Sequence, residues 1–353
     1  MTTLHPALTT RATELFGVAV PVVQTGMGWV SGARLTSATA NAGGLGILAS
    51  ATMSYDELAA AIAETKRRTA KPFGVNLRAD APDAAQRIDL LAAEGVRVAS
   101  FALAPKQDLI KRCKDHGLVV VPSIGAKRHA EKVAAWGADA VIVQGGEGGG
   151  HTGQVPTTVL LPQVVDAVDI PVIAAGGFFD GRGLVAALAY GAAGIAMGTR
   201  FLLTSDSAVS QQVKDVYLAK GVADTVVTTE VDGVPHRVLR TAFVEELLRS
   251  RALGRMTRAL KNAVAFQKLS GTPWKDVVTE GLAMRRSAEL SLSQLVMAAN
   301  TPMLLKAAMV DGRPDLGVLA SGQVVGVIED LPSCQELLDR IVAEATATLE
   351  RLA

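Results

Sequence analysis

The chain has 353 residues, enough for one large domain or two of ordinary size. Apolar residues make up 49% of the chain and charged residues 20%, which supports a large core and excludes an intrinsically disordered protein. Lys and Arg number 35 and Asp and Glu number 34, so the formal net charge is +1. This balance excludes the global positive field that nucleic-acid-binding or membrane-surface proteins use, and we expect neither partner.

Three features predict a cytoplasmic protein. No apolar run reaches the roughly 18–20 residues that a membrane-spanning helix needs. The first residues lack the basic segment followed by an apolar segment that marks a secretory signal. The two cysteines, Cys113 and Cys334, lie far apart in the sequence and form no CxxC pair, as expected in a reducing compartment.

From about residue 21 to residue 203 the sequence repeats a short apolar run followed by an alanine-rich helical stretch. The eight runs are predicted strands, at residues 21–28, 45–50, 73–79, 96–103, 118–125, 140–145, 171–177 and 194–201. They are almost continuously apolar, which is typical of parallel strands buried on both faces. Eight such units predict an α/β fold of the TIM (β/α)8 barrel type, with a doubly wound open sheet as the alternative.

The predicted helices between the strands have recognisable ends. The stretch 54–69 opens with Ser54 followed by Glu57, the pattern of a capping box. The stretches 106–117, 126–137 and 181–191 each end in a glycine, which favours a helix C-terminus.

After the last predicted strand the strand pattern is lost, apart from residues 225–241, for which we predict a short hairpin or a loop. We therefore expect a barrel over residues 1–207, a helical cap or substrate domain over 208–300, and a C-terminal segment over 301–353 that returns to pack on the barrel. The apolar helical stretches near the C-terminus are candidates for a homodimer surface.

Ligands bind at the carboxyl ends of the strands in either α/β architecture. Gly176 and Gly177 follow the seventh predicted strand, and Gly198 and Thr199 follow the eighth. Barrels commonly hold a phosphate group at these two positions, on glycine backbone and on the N-terminus of the helix that follows. The alternative is that these glycines serve only close packing.

The loop after the sixth predicted strand holds six glycines between Gly145 and Gly153, around a single histidine. His151 and Glu147 are the titratable residues of this loop. Histidine is suited to proton transfer near neutral pH, so His151 is the candidate catalytic residue, with a structural hydrogen-bonding role as the alternative. His236 is a weaker candidate, as a residue that lines the cap.

Several common site motifs are absent from the sequence. It contains no HExxH, no CxxC and no paired His/Asp ligand spacing, so we expect no metal site. It contains no GxSxG, no GxxxxGK[ST] and no clean GxGxxG between a strand and a helix, which argues against serine hydrolases, Walker and Rossmann proteins.

The chain resembles the nitronate monooxygenase family of FMN-dependent barrels over nearly its whole length. This family also includes flavin-type enoyl-acyl-carrier-protein reductases. The segment QGGEGGGHTG at residues 144–153 is similar to the most specific motif of the family. The segments AGGFFDGRG, AMGTRFLLTSDS, RVLRT and SGQVVG also resemble family segments.

The resemblance implies a TIM barrel with non-covalent FMN and a helical substrate domain. By position it implies His151 as the catalytic histidine. The FMN contacts implied by the resemblance are Gly26, Met27, Gly28, Asn76, Ser123, Gln144, Gly150, Gly153, Gly176, Gly177, Gly198 and Thr199.

Within the family, QTGMGWV, ATANAGGLGILASATM, SFALAPKQDLI and VMAANTPMLLKA are most similar to an actinobacterial branch of steroid-ring degradation. That branch implies oxidation of the CoA thioester of a bicyclic hydroxylated methyl-indane carboxylate. Trp29 stands where the family usually has small residues, which favours a pocket different from one for small nitronates.

Residues 249–286 contain nine Lys or Arg and only two acidic residues. Such a basic segment suits the phosphates of coenzyme A, with a solvated helical face or an acidic partner protein as the alternatives. The expected substrate contacts are Trp29, Arg200, Arg255, Arg258, Lys261 and Arg285.

The predicted reaction introduces an α,β double bond into an acyl-CoA, with His151 as the base and the flavin as the hydride acceptor. Nitronate oxidation by O2 and NAD(P)H-dependent reduction of an enoyl thioester are the alternatives that keep the flavin. A flavin-free barrel that binds a small molecule is the alternative from a different class.

Overall fold

The computed structural model describes residues 4–102, 104–249 and 300–353. The chain divides into two compact units. The first unit comprises Met1–Gly148, Gly153–Ala208 and Ile328–Ala353, and the second comprises Gly149–Thr152 and Val209–Val327.

The first unit is built on eight parallel strands that close into a barrel, so the predicted TIM-barrel fold is confirmed. The barrel strands are β1 Val22–Gln24, β2 Leu45–Ala49, β3 Gly74–Leu77, β4 Val98–Phe101, β5 Val119–Ile124, β6 Val141–Gln144, β8 Val172–Ala175 and β9 Gly194–Met197. The barrel closes where β9 pairs with β1, with Ala196 opposite Val23. Side chains such as Val98, Ile142 and Ile173 are buried in its core, each worth roughly 1.5–3 kcal/mol.

Helices alternate with the barrel strands in the first unit, and the second unit contains further helices. The helices of the described residues are α1 Arg11–Phe16, α2 Ala33–Asn41, α3 Tyr55–Arg68, α4 Ala84–Ala93, α5 Gln107–Asp115, α6 Lys127–Ala135, α7 Thr157–Val165, α8 Gly181–Ala189, α9 Thr199–Leu202, α10 Gln211–Leu218, α11 Ala242–Arg249, α12 Asn300–Met309 and α13 Cys334–Leu352. The predicted capping box of Ser54 and Glu57 opens α3. The glycines predicted to end α5, α6 and α8 all have left-handed backbone, with φ of 72°, 98° and 87°.

The C-terminal helix α13 belongs to the first unit, where it packs against α8 and α2. Its N-terminus carries a second capping box, formed by Ser333 and Glu336. None of the helices in the described parts of the chain combines the length and the apolar character needed to cross a membrane.

The second unit contains a three-stranded sheet, and the hairpin predicted at residues 225–241 is confirmed. Strand β10 Thr225–Thr228 pairs antiparallel with β11 His236–Leu239. Strand β7, Gly150–His151, is the other neighbour of β11. A separate apolar core supports this unit, with Val231, Val238 and Leu304 among its buried members.

Candidate active site

The loop after β1 is held in place by Ser31. Its Oγ accepts hydrogen bonds from Gln24 Nε2 and from the Met27 backbone N–H, both at 2.9 Å, and donates to the Thr25 carbonyl at 2.9 Å. Gln24 and Ser31 are buried. The buried residues Gln24 and Ser31 therefore hold the conformation of the predicted flavin-contact loop that begins at Gly26.

Trp29 lies in the same loop with a φ of 65°, and within the described chain it is the one non-glycine residue in the left-handed region. Such a conformation costs a bulky residue about 1–3 kcal/mol and is found mostly at functional sites. The residue predicted to contact substrate thus occupies a strained position.

Gly26 and Asn76, both expected FMN contacts, lie against each other. A Cβ atom added to Gly26 would be 2.5 Å from Asn76 Cβ. The Asn76 side chain is 8% exposed, and its Nδ2 donates to Ser100 Oγ on the neighbouring strand at 3.2 Å. These contacts fix an amide group at the carboxyl end of β3.

The loops after β1, β8 and β9 meet at one edge of the barrel. Gly176 and Gly177 follow β8 with φ of 93° and 89°, a conformation that favours glycine. A Cβ added to Gly198, after β9, would be 3.2 Å from Thr25 Oγ1 and 3.4 Å from Met27 Sδ. Gly198 therefore lies close to the loop that begins at Gly26, whereas Gly176 and Gly177 lie against residues of the loop after β6.

The N-terminus of α8 is already occupied by carboxylates. Asp180 Oδ1 accepts a hydrogen bond from the Gly183 N–H, and Glu344 Oε2 accepts one from the Gly181 N–H, both at 2.9 Å. The expectation that α8 offers its N–H groups to an anion therefore loses support. The glycine loops that follow β8 and β9 are the better candidates for phosphate binding.

The other expected flavin contacts lie at the ends of β5 and β6. Ser123 pairs with Ile142 of β6 in the barrel register. Gln144 ends β6, and a Cβ added to Gly148 would be 2.6 Å from its Nε2. Gly153 belongs to the first unit, whereas Gly150 belongs to the second.

Glu147, the second titratable residue of the glycine-rich loop, caps helix α7. Its carboxylate accepts hydrogen bonds from the Thr157 N–H at 3.0 Å and from the Thr157 hydroxyl at 2.7 Å. A carboxylate at a helix N-terminus is stabilising, so Glu147 has a structural role in this loop.

These features fit a flat cofactor with an anionic tail. The strand ends expose glycine backbone against which a flat ring system can lie, and Asn76 supplies a fixed amide for its polar edge. Gln24 Oε1 is buried without a hydrogen-bond partner among the described residues, next to the same loop. The residues of the first unit therefore suit a flavin.

The second unit places an aspartate against the predicted catalytic histidine. His151 Nε2 is 2.6 Å from Asp232 Oδ2, although the two residues are 81 positions apart in the sequence. The His151 side chain is 53% exposed, whereas that of Asp232 is 4% exposed. Asp232 itself is held by the Val234 N–H, which donates to its Oδ1 at 3.2 Å.

His236 lies beside this pair, directly opposite His151 in the β11–β7 ladder. The two imidazole centroids are 4.6 Å apart, and His236 Nδ1 is 3.6 Å from Asp232 Oδ2. His236 is buried, and neither ring nitrogen has a hydrogen-bond partner in the described parts of the chain. The sequence carries no signal for Asp232 and only a weak one for His236.

Burial and charge set the protonation of these groups. Burial raises the pKa of Asp232. The hydrogen bond with His151 and the nearby imidazole of His236 lower that pKa by more, so it lies below its ordinary value. Burial lowers the pKa of His236. Near neutral pH, Asp232 is therefore a carboxylate and His236 is neutral.

His151, Asp232 and His236 carry ligand-type atoms within 4.8 Å of one another, although the sequence predicts no metal site. Two ligand atoms of one tetrahedral zinc ion, each bound at about 2.1 Å, stand about 3.4 Å apart. The 2.6 Å between His151 Nε2 and Asp232 Oδ2 is instead a hydrogen-bond distance. The geometry therefore favours a hydrogen-bonded pair.

Arg200, an expected substrate contact, is engaged inside the first unit and is 4% exposed. Its Nη1 lies 3.0 Å from Asp330 Oδ1, and its Nη2 donates to the carbonyls of Asp330 and Leu203. These contacts favour a structural role for Arg200. The expected contacts Arg255, Arg258, Lys261 and Arg285 lie outside the described residues.

Two dehydrogenases with the same name are similar to this chain over almost its entire length. Each is called "(3aS,4S,5R,7aS)-5-hydroxy-7a-methyl-1-oxo-octahydro-1H-indene-4-carboxyl-CoA dehydrogenase". The protein from Mycobacterium tuberculosis is 67% identical over 347 residues, which cover 97% of this chain and 98% of the relative. The protein from Rhodococcus jostii is 63% identical over 352 residues, which cover 100% and 99%.

Solved structures give the same picture of the fold. FabK from Thermotoga maritima has a TM-score of 0.80 and 34% sequence identity, over 97% of this chain and 98% of that one. A nitroalkane oxidase from Streptomyces ansochromogenes has a TM-score of 0.75 and 27% identity, over 97% and 99%. The family model "Nitronate monooxygenase" matches residues 9–89 and 82–344. This chain therefore belongs to the nitronate monooxygenase family of flavin-dependent oxidoreductases.

Proposed function

We propose that this protein is an FMN-dependent dehydrogenase of a CoA thioester, acting on a bicyclic hydroxylated methyl-indane carboxyl-CoA. The observation that carries the proposal is the 67% and 63% identity to two dehydrogenases named for that substrate. The alignments cover 97% and 100% of this chain, so both units take part in the likeness.

The proposed cofactor is FMN, held at the carboxyl edge of the barrel. Gly26 and Asn76 would contact its ring system, and Gly176, Gly177 and Gly198 would bind its phosphate through backbone N–H groups. When bound, the flavin supplies the acceptor for the hydride that leaves the β-carbon of the substrate.

His151 is the proposed base for the α-proton, which the thioester carbonyl acidifies. Because the ionised Asp232 can only accept a hydrogen bond, Nε2 of His151 carries the proton of that contact. Nδ1 is then the atom that would take the α-proton. The half-exposed ring allows a substrate to approach it. Loss of one proton and one hydride leaves the α,β double bond.

The basic segment at residues 249–286 is the proposed binding region for the phosphates of CoA. This part of the proposal rests on charge alone, since nine Lys or Arg face only two acidic residues in that stretch of sequence. Arg255, Arg258, Lys261 and Arg285 are the proposed contacts.

The test is anaerobic titration of the purified flavoprotein with the indane carboxyl-CoA named above, followed by its visible spectrum. Bleaching of an oxidised-flavin spectrum is the expected result. The His151→Ala variant should keep the flavin and slow its reduction on the order of 10²–10⁴-fold. A yellow wild-type protein that does not bleach would refute the proposed reaction.

The second candidate function is oxidation of alkyl nitronates by O2. It is favoured by a probable nitronate monooxygenase of Staphylococcus saprophyticus, 32% identical over 68% of this chain and 81% of that protein. Oxygen uptake with propyl nitronate, in the absence of any acyl-CoA, would support it. Rapid flavin bleaching by NADH or NADPH would instead favour reduction of an enoyl thioester.

A further inference from the structure

Strand β7 and the turn before strand β11 bring His151 and Asp232 together, and the role inferred here for Asp232 rests on the proposed function. We propose that Asp232 is a positioning residue that fixes the orientation and the tautomer of His151, with the buried ring of His236 as the third member of the arrangement. Neither Asp232 nor His236 would touch the reacting atoms.

The backbone fixes both partners before any side chain contact is considered. His151 and His236 are directly opposed in the antiparallel β7–β11 ladder, so their side chains emerge on the same face of the sheet. Asp232 lies four residues before His236, in the turn whose Asp232–Val234 hydrogen bond sets the carboxylate direction. With the backbone in this conformation, the Asp232 carboxylate reaches the His151 ring.

The hydrogen bond between His151 and Asp232 is short, and only its Asp232 side is buried. The Nε2–Oδ2 distance of 2.6 Å lies at the short end for a charge-assisted hydrogen bond. The Asp232 side chain is 4% exposed while the His151 side chain is 53% exposed. The acceptor is thus shielded from water, whereas about half of the His151 side chain is accessible to solvent.

The buried ring of His236 lies beside the Asp232 carboxylate. Its side chain is 3% exposed, and its Nδ1 lies 3.6 Å from Asp232 Oδ2, which is too long for a hydrogen bond. Burial lowers the pKa of His236, so this ring is neutral near pH 7. Of the two histidines, His151 is the one within hydrogen-bond distance of the carboxylate.

The consequence is a defined chemical state of the base. An ionised carboxylate accepts from Nε2–H, so the neutral imidazole holds its lone pair on Nδ1, and the imidazolium formed after proton transfer remains stabilised by Asp232. A histidine without this partner would rotate and exchange tautomers, and only part of its population would be competent.

The test compares Asp232→Asn with Asp224→Asn. Both substitutions are isosteric and both leave an oxygen for a backbone N–H in a turn, because Asp224 Oδ2 accepts from the Gly221 N–H at 2.8 Å. Only Asp232→Asn turns a donor toward His151 Nε2. Flavin reduction is measured by anaerobic stopped flow with the indane carboxyl-CoA as the probe.

The expected result for Asp232→Asn is a fall in the reduction rate on the order of 10²–10⁴-fold with KM for the probe nearly unchanged. Asp232→Glu, which keeps the carboxylate, should recover at least about tenfold of that loss, and Asp224→Asn should match the wild type. A wild-type reduction rate in Asp232→Asn would overturn the inference.

A spectroscopic measurement separates this inference from the proposed function. With ¹⁵N-labelled histidine, the wild type should show a strongly downfield Nε2–H proton that disappears in Asp232→Asn and in His151→Gln but persists in Asp224→Asn. If the probe does not reduce the wild-type flavin, the proposed function fails and this signal alone decides the inference. Its absence from the wild type, or a stoichiometric transition metal found by elemental analysis, would overturn the inference.

Discussion

The substitution Gly26→Ala tests whether the loop after β1 is shaped to receive a flavin. The added Cβ would stand 2.5 Å from Asn76 Cβ, 3.1 Å from Asn76 Cγ and 3.4 Å from Ile47 Cγ2. A change of rotamer cannot move the Cβ of Asn76, and β3 is held in register with β4. The loop itself must therefore shift.

The energetic cost of this overpacking is about 1–3 kcal/mol. If the loop moves away from its position and must return to bind the cofactor, the same free energy weakens FMN binding about 5- to 150-fold. If the loop stays in place, the cost lowers the free energy of unfolding instead. Titration of the apoprotein with FMN measures the loss of binding free energy, and denaturant unfolding measures the loss of stability. The two losses together should equal the cost of the overpacking.

Gly32→Ala is the matched control, since a Cβ at that position meets nothing within 4 Å. Gly32 is the N-cap of α2, where alanine in place of glycine costs up to about 1 kcal/mol of stability and adds no steric contact at the flavin loop. Wild-type FMN affinity together with wild-type stability in Gly26→Ala would refute the reasoning from the close contact with Asn76.

Three further outcomes follow from burial and charge. The lowered pKa of Asp232 means that its stabilising contribution is complete above about pH 4 and is lost as the pH falls further, so the difference in unfolding free energy between wild type and Asp232→Asn should stay constant down to about pH 4 and shrink below it; a difference that stays constant below about pH 4 would contradict this. Burial raises the pKa of Cys113 and Cys334 to about 12, so thiol reagents at pH 8 should label both only after unfolding, and rapid labelling of the native protein would be the opposing result. Arg200→Met should lower the free energy of unfolding by about 1–3 kcal/mol without changing KM for the acyl-CoA, whereas a raised KM would restore Arg200 as a substrate contact.

The barrel could be predicted because its signals are local. Strands buried on both faces appear in the sequence as unbroken apolar runs, and the structure has a barrel strand within each predicted run. Helix α3 begins with the capping box of Ser54 and Glu57 that the sequence shows directly. Each of these features depends on residues a few positions apart, so no knowledge of the tertiary structure was needed.

The partner of His151 could not be predicted, because it depends on a register between distant strands. Strand β7 has only two residues, too few for a periodic pattern, and Asp232 lies 81 positions away in a turn. An aspartate before a glycine is typical of any turn, so Asp232 carried no sign of a role. Arg200 illustrates a different difficulty, since a charged residue after a barrel strand suggests a ligand contact, whereas only the structure reveals its pairing with Asp330.

The glycine-rich loop also shows why its motif identifies the family and not the substrate. Its two titratable residues have different environments: Glu147 is used by the N-terminus of α7, whereas His151 remains half-exposed beside Asp232. If His151 acts as proposed, a loop of this kind would supply the same histidine and the same helix cap for an alkyl nitronate as for a thioester. The acyl-CoA proposal therefore depends on the 67% identity over 97% of the chain. Among the described residues, the strained Trp29 is the first position at which we would substitute a smaller residue to test substrate choice.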